Sequence, residues 1–193
     1  MTKRLWGAEA RFYRGLRRNA MSARILSEEN AAAKKLLARL DFSNIHRVLD
    51  IGTGVGNALS LIEHRAMRVS AIDASAEMLR EASLQFPNVK FYCADACAMP
   101  FDDAAFELVL CVGVSEYVSD VSLLFQEIYR VLAPSGYALL TAASASPFNL
   151  LRYVLGHRLF LRRRLDGVAV QSGFDILAAS RTLLQIQYLL QKS

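Results

Sequence analysis

The chain has 193 residues, of which 53% are hydrophobic and 21% are charged, with ten glycines, four prolines and a net charge of +5. A chain of this length can bury roughly 70% of the surface that its unfolded state exposes, so one packed domain needs no disulfides or metals to hold it together. The composition excludes disordered, collagen-like and disulfide-rich proteins.

The positive charge is concentrated in two segments. Residues 1–24 hold seven basic side chains and one acidic side chain, and residues 151–165 hold five arginines and no acidic residue. Both segments are either ordinary solvated surface or patches that face an anionic substrate or a membrane surface. The charges near the start leave no room for the apolar core of a secretory signal.

Two further features bear on the cellular compartment. Residues 131–151 carry no charge, but their prolines, glycine and serines are typical of strands and turns rather than of a membrane span. Cys93, Cys97 and Cys111 are odd in number and lie in apolar runs, which predicts reduced thiols packed in a core. We therefore expect a cytoplasmic protein.

Short β-rich runs alternate with helical patterns from residue 45 onward. A basic helical arm from about residue 8 and a helix over 27–40 precede this alternation. The patterns predict strands over 47–51, 68–72, 89–93, 106–112 and 137–141. They predict helices over 57–66, 76–86 and 121–132, the last capped by Ser119 or Asp120 and stopped by Pro134. Strands separated by such helices pair in parallel, with right-handed crossovers.

The alternation stops after the fifth strand. Residues 147–164 look helical, and runs over 174–180 and 183–190 are separated only by a tight turn, which predicts an antiparallel pair. The fold class is therefore α/β, a Rossmann-like, seven-stranded and mostly parallel sheet with one antiparallel strand and helices on both faces. We expect a single domain over 1–193, which consists of a helical arm (1–44), a core (45–142) and a helical insertion with the C-terminal strand pair (143–193).

A glycine-rich turn follows the first strand, with Gly52, Gly54 and Gly56 around Thr53. Glycines there let the backbone approach a ligand closely. A dinucleotide fingerprint needs its third glycine one position later, where Asn57 stands. This spacing and the preceding Asp50 disfavour a nicotinamide dinucleotide, because a carboxylate repels a pyrophosphate but can accept hydrogen bonds from the ammonium group of an amino acid.

Acidic side chains also follow the second and third strands. Asp73 ends the second strand, where a carboxylate can accept hydrogen bonds from both ribose hydroxyls. After the third strand, Asp95 can accept from an adenine amine, and the Ala96 amide can donate to a ring nitrogen. Such a set suits a cofactor with a cationic centre and no phosphates. The structural alternatives are helix caps for Asp50 and Asp73 and a turn residue for Asp95.

With these motifs the chain resembles a class I S-adenosylmethionine-dependent methyltransferase of the small-molecule kind, similar to the quinone-biosynthesis methyltransferases. The resemblance lies in VLDIGTGVG over 48–56, in AIDAS followed by Met78 and Leu79, in the run over 94–118 and in EIYRVLAPSGYALLTA over 127–142. It implies that S-adenosylmethionine is the cofactor, bound by the core, and that its methionine part lies over the glycine turn.

The resemblance also implies positions for the rest of the cofactor. The ribose would meet Asp73, and the adenine would sit between Ala74, Met78 and Ala96, although Met78 could equally be core packing. A backbone carbonyl near Val112 or Gly113 would receive the amino group. No metal is implied.

Methyl transfer from a sulfonium needs alignment of the acceptor and exclusion of water more than a dedicated catalytic residue. Candidates for a general base are Glu116, Tyr117 and His157. Many members of the family have a histidine where Tyr117 stands, so this chain departs from them there. The alternative for His157 is a solvated or packing side chain.

The acceptor is predicted to be a small molecule or lipid-like and able to carry negative charge, because members of the family choose their substrates with the two regions that are basic here. In a helix starting at Phe148, Arg158 and Arg162 would fall on the apolar side. The helix therefore either breaks near Gly156 or places arginines at a membrane interface, as a peripheral contact. A lid helix with exposed arginines is the plain alternative.

Other functions are weighed against methyl transfer. Nucleic acid is disfavoured as a substrate, because the Asn/Asp-Pro-Pro-Tyr motif is absent after the fourth strand. One rival is an S-adenosylmethionine-binding partner or regulatory protein without turnover, and another is a nicotinamide-dependent oxidoreductase. No prediction is made for the methylated atom or the oligomeric state.

Overall fold

A seven-stranded sheet in the order β3-β2-β1-β4-β5-β7-β6 organises the computed structural model, which describes residues 20–62, 67–154 and 156–193. Strands β1 to β5 pair in parallel, and β7 runs antiparallel to both of its neighbours, β5 and β6. The predicted fold class is confirmed. The strands are β1 (Arg47–Ile51), β2 (Arg68–Asp73), β3 (Lys90–Cys93), β4 (Phe106–Cys111), β5 (Leu132–Ala143), β6 (Phe174–Arg181) and β7 (Gln185–Lys192).

Helices cover both faces of this sheet. Successive residues of β1 point to opposite sides, so Leu49 packs in one hydrophobic cluster and Val48 in the other. The cluster of Leu49 includes helices α3 and α5, and the cluster of Val48 includes α1. The helices are α1 (Ala20–Leu37), α2 (Ala76–Gln85), α3 (Val121–Val131), α4 (Leu150–Val154) and α5 (Arg162–Gln171). None of the described helices is both long and apolar enough to cross a membrane.

Local sequence explains the helices that were well predicted. Helix α3 lies within one residue of its predicted range, and the N-cap is Asp120, whose side chain accepts a hydrogen bond from Ser122. Its apolar residues at helical spacing are all buried. Helix α2 begins after Ser75, whose hydroxyl accepts from the Met78 amide. Helix α1 begins earlier than predicted, at residue 20, and the basic arm before it lies outside the described residues.

Two predicted elements around the core differ from the structure. The helix predicted over 57–66 is instead a 3-10 turn, Ala58–Leu61. The Ser60 hydroxyl donates to the Asn57 carbonyl at 2.7 Å, which favours this tighter turn. Residues 63–66 lie outside the described residues. Strand β5 begins at Leu132, five residues earlier than predicted, and Pro134 therefore lies inside a strand. The strand tolerates the proline because its register with β4 shifts between Phe106 and Leu108.

The predicted helix over 147–164 is interrupted. It forms a 3-10 turn (Pro147–Asn149) and α4, and then the chain leaves the helix at Gly156, whose φ is 86° and whose amide donates to the Tyr153 carbonyl at 2.9 Å. The predicted break near Gly156 is confirmed. Helix α5 follows and runs to Gln171, well beyond the predicted end.

The prediction that all three cysteines pack in a core is wrong for Cys93. All three are free thiols: Cys111 is buried, Cys97 is half-buried and packs against the core, and Cys93 is exposed. Cys93 ends β3, which is an edge strand of the sheet and in which all residues except Phe91 are exposed.

Candidate cofactor site

The three glycines after β1 adopt positive φ angles of 63°, 55° and 92°, but for different reasons. A Cβ at Gly52 would collide with the Val114 side chain, and a Cβ at Gly56 would collide with the ring of Phe86. A Cβ at Gly54 would meet no atom within 4 Å. Gly52 and Gly56 are therefore required for packing, whereas Gly54 leaves the backbone of the turn open to a ligand.

Asp73 joins this turn to the end of β2. Its Oδ2 accepts a hydrogen bond from the Gly54 amide at 2.9 Å, and its Oδ1 accepts from the Ser75 amide at 2.8 Å. Burial raises the pKa of Asp73, and the hydrogen bonds from Ser75 and Gly54 act against this increase. Because Ser75 is the N-cap of α2, Asp73 is a bridge between two turns rather than the cap of a helix.

Asp50 is fully buried at the same end of β1, and neither of its carboxylate oxygens has a hydrogen-bond partner among the described residues. The hydroxyl of the buried Thr53 has none there either. Burial raises the pKa of Asp50 to about 7; nearby Thr53 partly offsets this, although its geometry falls short of a hydrogen bond. Buried polar groups are nearly always satisfied, so this pair is suited to a polar ligand.

The loop after β3 lies beside Asp73, because the Ala94 amide donates to the Asp73 carbonyl at 3.1 Å. Asp95 is exposed, and its Oδ1 accepts a hydrogen bond from the Cys97 amide at 2.8 Å. This hydrogen bond is the one expected if Asp95 is a turn residue. Ala74 is exposed, whereas Met78 and Ala96 are half-buried.

Arg130 of α3 fixes the far part of this loop. Its guanidinium donates to the carbonyls of Phe101 at 2.7 Å and Met99 at 3.1 Å, and Glu127 accepts from the Met99 amide at 2.9 Å. The same two side chains pair with each other at 2.7 Å, and hydrogen bonding to Arg130 lowers the pKa of Glu127. Motif recognition alone did not assign a role to either residue.

The loop after β4 is held by hydroxyl groups that the sequence analysis missed. The Gly113 amide donates to Thr141 Oγ1 at 2.9 Å, and the Ser115 hydroxyl donates to the Thr141 carbonyl at 3.3 Å. Thr141 and Ser115 are completely buried, and Val112 is half-buried beside them. The only signal in the sequence was a threonine within the otherwise apolar run of β5.

The structure brings the three candidate bases together. Glu116 is 3% exposed, and its carbonyl accepts from the Arg158 amide at 3.2 Å. The rings of Tyr117 and His157 meet edge to face, with centroids 4.8 Å apart. The insertion after β5 therefore covers the loop after β4. No metal cluster of three or more acidic, His or Cys side chains occurs within the described ranges.

Comparison with known proteins identifies this arrangement. Residues 49–140 match the family described as a methyltransferase domain. Residues 49–140 therefore form a methyltransferase domain of the class I S-adenosylmethionine-dependent kind. The predicted resemblance and the predicted cofactor of the family are thereby confirmed.

Named methyltransferases share this part of the chain. The chain is 34% identical over 121 residues to a malonyl-[acyl-carrier protein] O-methyltransferase of Marinomonas sp. (strain MWYL1). The aligned region covers 60% of this chain and 45% of that protein. The chain is 37% identical over 109 residues to a demethylmenaquinone methyltransferase of Chlorobaculum tepidum, which covers 55% of this chain and 45% of that protein. The methyltransferase match thus spans about half the length of these curated relatives.

A likeness to solved structures extends over most of the chain. The crystal structure of the PH0226 protein from Pyrococcus horikoshii OT3 superposes with a TM-score of 0.75, covering 91% of this chain and 93% of that one at 19% identity. At this identity the likeness concerns the fold alone.

Proposed function

We propose that the chain transfers the methyl group of S-adenosylmethionine to a small or lipid-like acceptor that can carry negative charge. The observation that supports this most strongly is Asp50, a buried carboxylate without a hydrogen-bond partner among the described residues, next to the open face of Gly54. A cationic amino group is the ligand that best compensates such a carboxylate.

The residues at the carboxyl edge fit the cofactor in its proposed orientation. Asp50 and Thr53 would receive the amino group, directly or through water, with the Val112 carbonyl as a further acceptor. Asp73 would receive the ribose, since each carboxylate oxygen can accept a second hydrogen bond besides the one from the backbone. Asp95 and Ala96 would face the polar edge of the adenine, and Ala74 and Met78 its apolar faces.

S-adenosylmethionine, when bound, supplies a methyl group whose leaving group is already activated by positive charge. The remaining tasks of the chain are to orient the acceptor, to exclude water and to take up a proton where the acceptor loses one. His157 is the candidate for the proton, and Tyr117 holds its ring in place. Glu116 is buried, and its carboxylate accepts a hydrogen bond from the Ser115 hydroxyl at 3.2 Å.

The basic segments support an anionic acceptor. The insertion that contacts the loop after β4 carries exposed arginines, among them Arg158 and Arg163. The names of two relatives specify malonyl-[acyl-carrier protein] and demethylmenaquinone, so the acceptor varies among chains of this similarity. A lipid-like acceptor would be met at the surface of a membrane.

Two measurements on the full chain test the proposal. Calorimetry with S-adenosylhomocysteine measures binding, and methyl-labelled S-adenosylmethionine incubated with separate lipid and water-soluble extracts measures transfer. We expect binding and label in one extract. Binding without label in either extract would favour the non-catalytic partner protein, and a thermal shift with NADH but none with S-adenosylhomocysteine would favour the oxidoreductase.

A further inference from the structure

The segment after β5 exposes much more apolar surface than its length warrants. Eleven large hydrophobic side chains are exposed in the described part of the chain, and five of them fall within residues 148–161. Each of the five is 63–72% exposed. Scattered exposed apolar residues are normal, but a concentration of this kind marks an interaction surface. The five are Phe148, Leu150, Tyr153, Val154 and Leu161.

Hydrogen bonds hold this segment in place at both ends. Phe160 pairs with Ser144 at the end of β5, its amide donates to the Ala143 carbonyl at 2.9 Å, and its carbonyl accepts from the Ala145 amide at 2.8 Å. The chain between them therefore leaves and returns at the same point of the carboxyl edge. Phe148 and Leu161 each lie only a few residues from this point.

Asn149 fixes the outward direction of its neighbours. It is completely buried, and its amide group donates to the carbonyls of Ser144 at 2.7 Å and Leu184 at 2.8 Å. Phe148 and Leu150 on either side of it are exposed. Their exposure is thus imposed by an anchored backbone, which ties the segment to the turn between β6 and β7.

The same segment carries positive charge. Residues 151–165 contain five arginines and no acidic residue. Arg158, Arg163 and Arg164 are exposed, and Arg162 is exposed while it faces Asp166 at 3.7 Å. We propose that the exposed side chains described within residues 148–164 form a docking surface for an anionic lipid bilayer, with the apolar side chains in the interface and the arginines on the headgroup phosphates.

A bilayer matches both properties of this docking surface. A second copy of the chain would place two segments of charge +5 against each other. An acidic protein would match the arginines but would leave the apolar side chains against a charged surface. Binding to lipid does not depend on the proposed methyl transfer. That function is needed only for the further step, in which the bilayer would bring a lipid-like acceptor to the nearby His157.

Flotation of the full chain with vesicles tests the docking surface. We expect binding to vesicles of phosphatidylcholine mixed with phosphatidylglycerol and little binding to phosphatidylcholine alone. The charge reversal Arg163→Glu with Arg164→Glu should weaken binding on the order of tenfold or more, since each basic residue near such a surface contributes substantially. Independently, Phe148→Ser with Val154→Ser should weaken it through lost apolar contact.

The matched control is Arg80→Glu with Leu84→Ser on α2, which packs against β2 and β3 at the other end of the sheet and where Leu84 is 83% exposed. It should bind vesicles as the wild type does. The proposal would be overturned if the wild type and both test variants bound equally, or if neutral vesicles were bound as well as anionic ones. It would also be overturned if the chain self-associated or captured an acidic carrier protein in place of vesicles. Calorimetry with S-adenosylhomocysteine on the same samples reports the cofactor site separately, so failure of one is distinguishable from failure of the other.

Discussion

The amide of Gly54 donates a hydrogen bond to Oδ2 of Asp73 at 2.9 Å, across 19 positions of sequence. The other oxygen of the same carboxylate accepts from Ser75, at the start of α2. One side chain therefore sets the distance between the glycine turn after β1 and the first turn of α2. The shape of the proposed cofactor site depends on that carboxylate even before any ligand is bound.

Asp73→Ala should loosen both turns at once. The two hydrogen bonds to this charged acceptor together contribute roughly 3–6 kcal/mol, and removal of the carboxylate also removes its burial cost. We therefore expect a loss of about 2–4 kcal/mol in the free energy of unfolding, together with at least roughly tenfold weaker binding of S-adenosylhomocysteine. Asp73→Asn, which keeps one acceptor oxygen, should fall between the wild type and the alanine variant. Urea unfolding and calorimetry measure the two effects. An unchanged midpoint and dissociation constant in the alanine variant would contradict this interpretation.

Gly54→Ala tests whether the open face of the glycine turn receives a ligand. Both Gly54 and Gly156 have positive φ, and neither has an atom within 4 Å of the place where a Cβ would lie. Alanine should therefore cost roughly 1–2 kcal/mol of stability at either position. Only Gly54→Ala should also weaken S-adenosylhomocysteine binding, because its methyl group would enter the space that the ligand occupies. We expect a loss of roughly tenfold or more, which corresponds to about 1.4 kcal/mol of binding free energy. Equal dissociation constants for the two variants would exclude a ligand at this face.

The sequence predicted elements best where apolar pattern and boundary signals agree. Strand β1 lies at its predicted bounds because an apolar run starts at the exposed Arg47 and ends at Gly52. Strand β5 was predicted too short because Pro134, Ser135 and Gly136 are typical of a turn, and Ser135 indeed has a φ of 59° inside the strand. The pairing of Leu132 with Phe106 of β4 extends the strand over this stretch, and such a tertiary contact cannot be read from the local pattern.

Predictions of site residues have a similar limit. Strand ends and glycine spacing were enough to direct attention to Asp50 and Asp73, since the carboxyl ends of parallel strands share one edge. The contact of Tyr117 with His157 depends on where the insertion leaves its helix at Gly156, and the support of Gly113 by Thr141 depends on strand order. Neither relation is encoded in the local pattern of the residues involved.

The stability of the chain should fall as the pH rises, because of Asp50. Its pKa is raised from 3.8 to about 7 by burial, so between these values the folded protein holds a proton that the unfolded chain has released. The free energy of unfolding should therefore fall by up to about 4 kcal/mol from pH 4 to pH 7 through this group. Asp50→Asn should lack that part of the slope in urea unfolding measured across this range. Parallel slopes would show that Asp50 is already charged in the folded state at low pH.

The same carboxylate should make cofactor binding depend on pH in the opposite direction. If the ammonium group of the ligand pairs with ionised Asp50, binding must release the proton that burial retains, and affinity should rise with pH until about 7, the pKa of Asp50, and then level off. Calorimetry of S-adenosylhomocysteine in buffers of different ionisation enthalpy should detect the released proton below that pH. Asp50→Asn should bind more weakly and release none. If Asp50→Asn released as many protons on binding as the wild type, the released proton would come from another group.

His157 can be separated from the cofactor site by a comparison of turnover with binding. His157→Gln should lower kcat by roughly 100-fold or more while the dissociation constant of S-adenosylhomocysteine stays the same, and it should abolish any acidic limb of the pH profile of kcat/KM. Tyr117→Phe keeps the ring that meets His157 and should lower kcat much less. The matched control is His46→Gln, because His46 is exposed just before β1, at the amino edge of the sheet and away from the glycine turn. A similar kcat for His157→Gln and His46→Gln would leave His157 with packing as its only role, and the proton would then leave the acceptor to solvent.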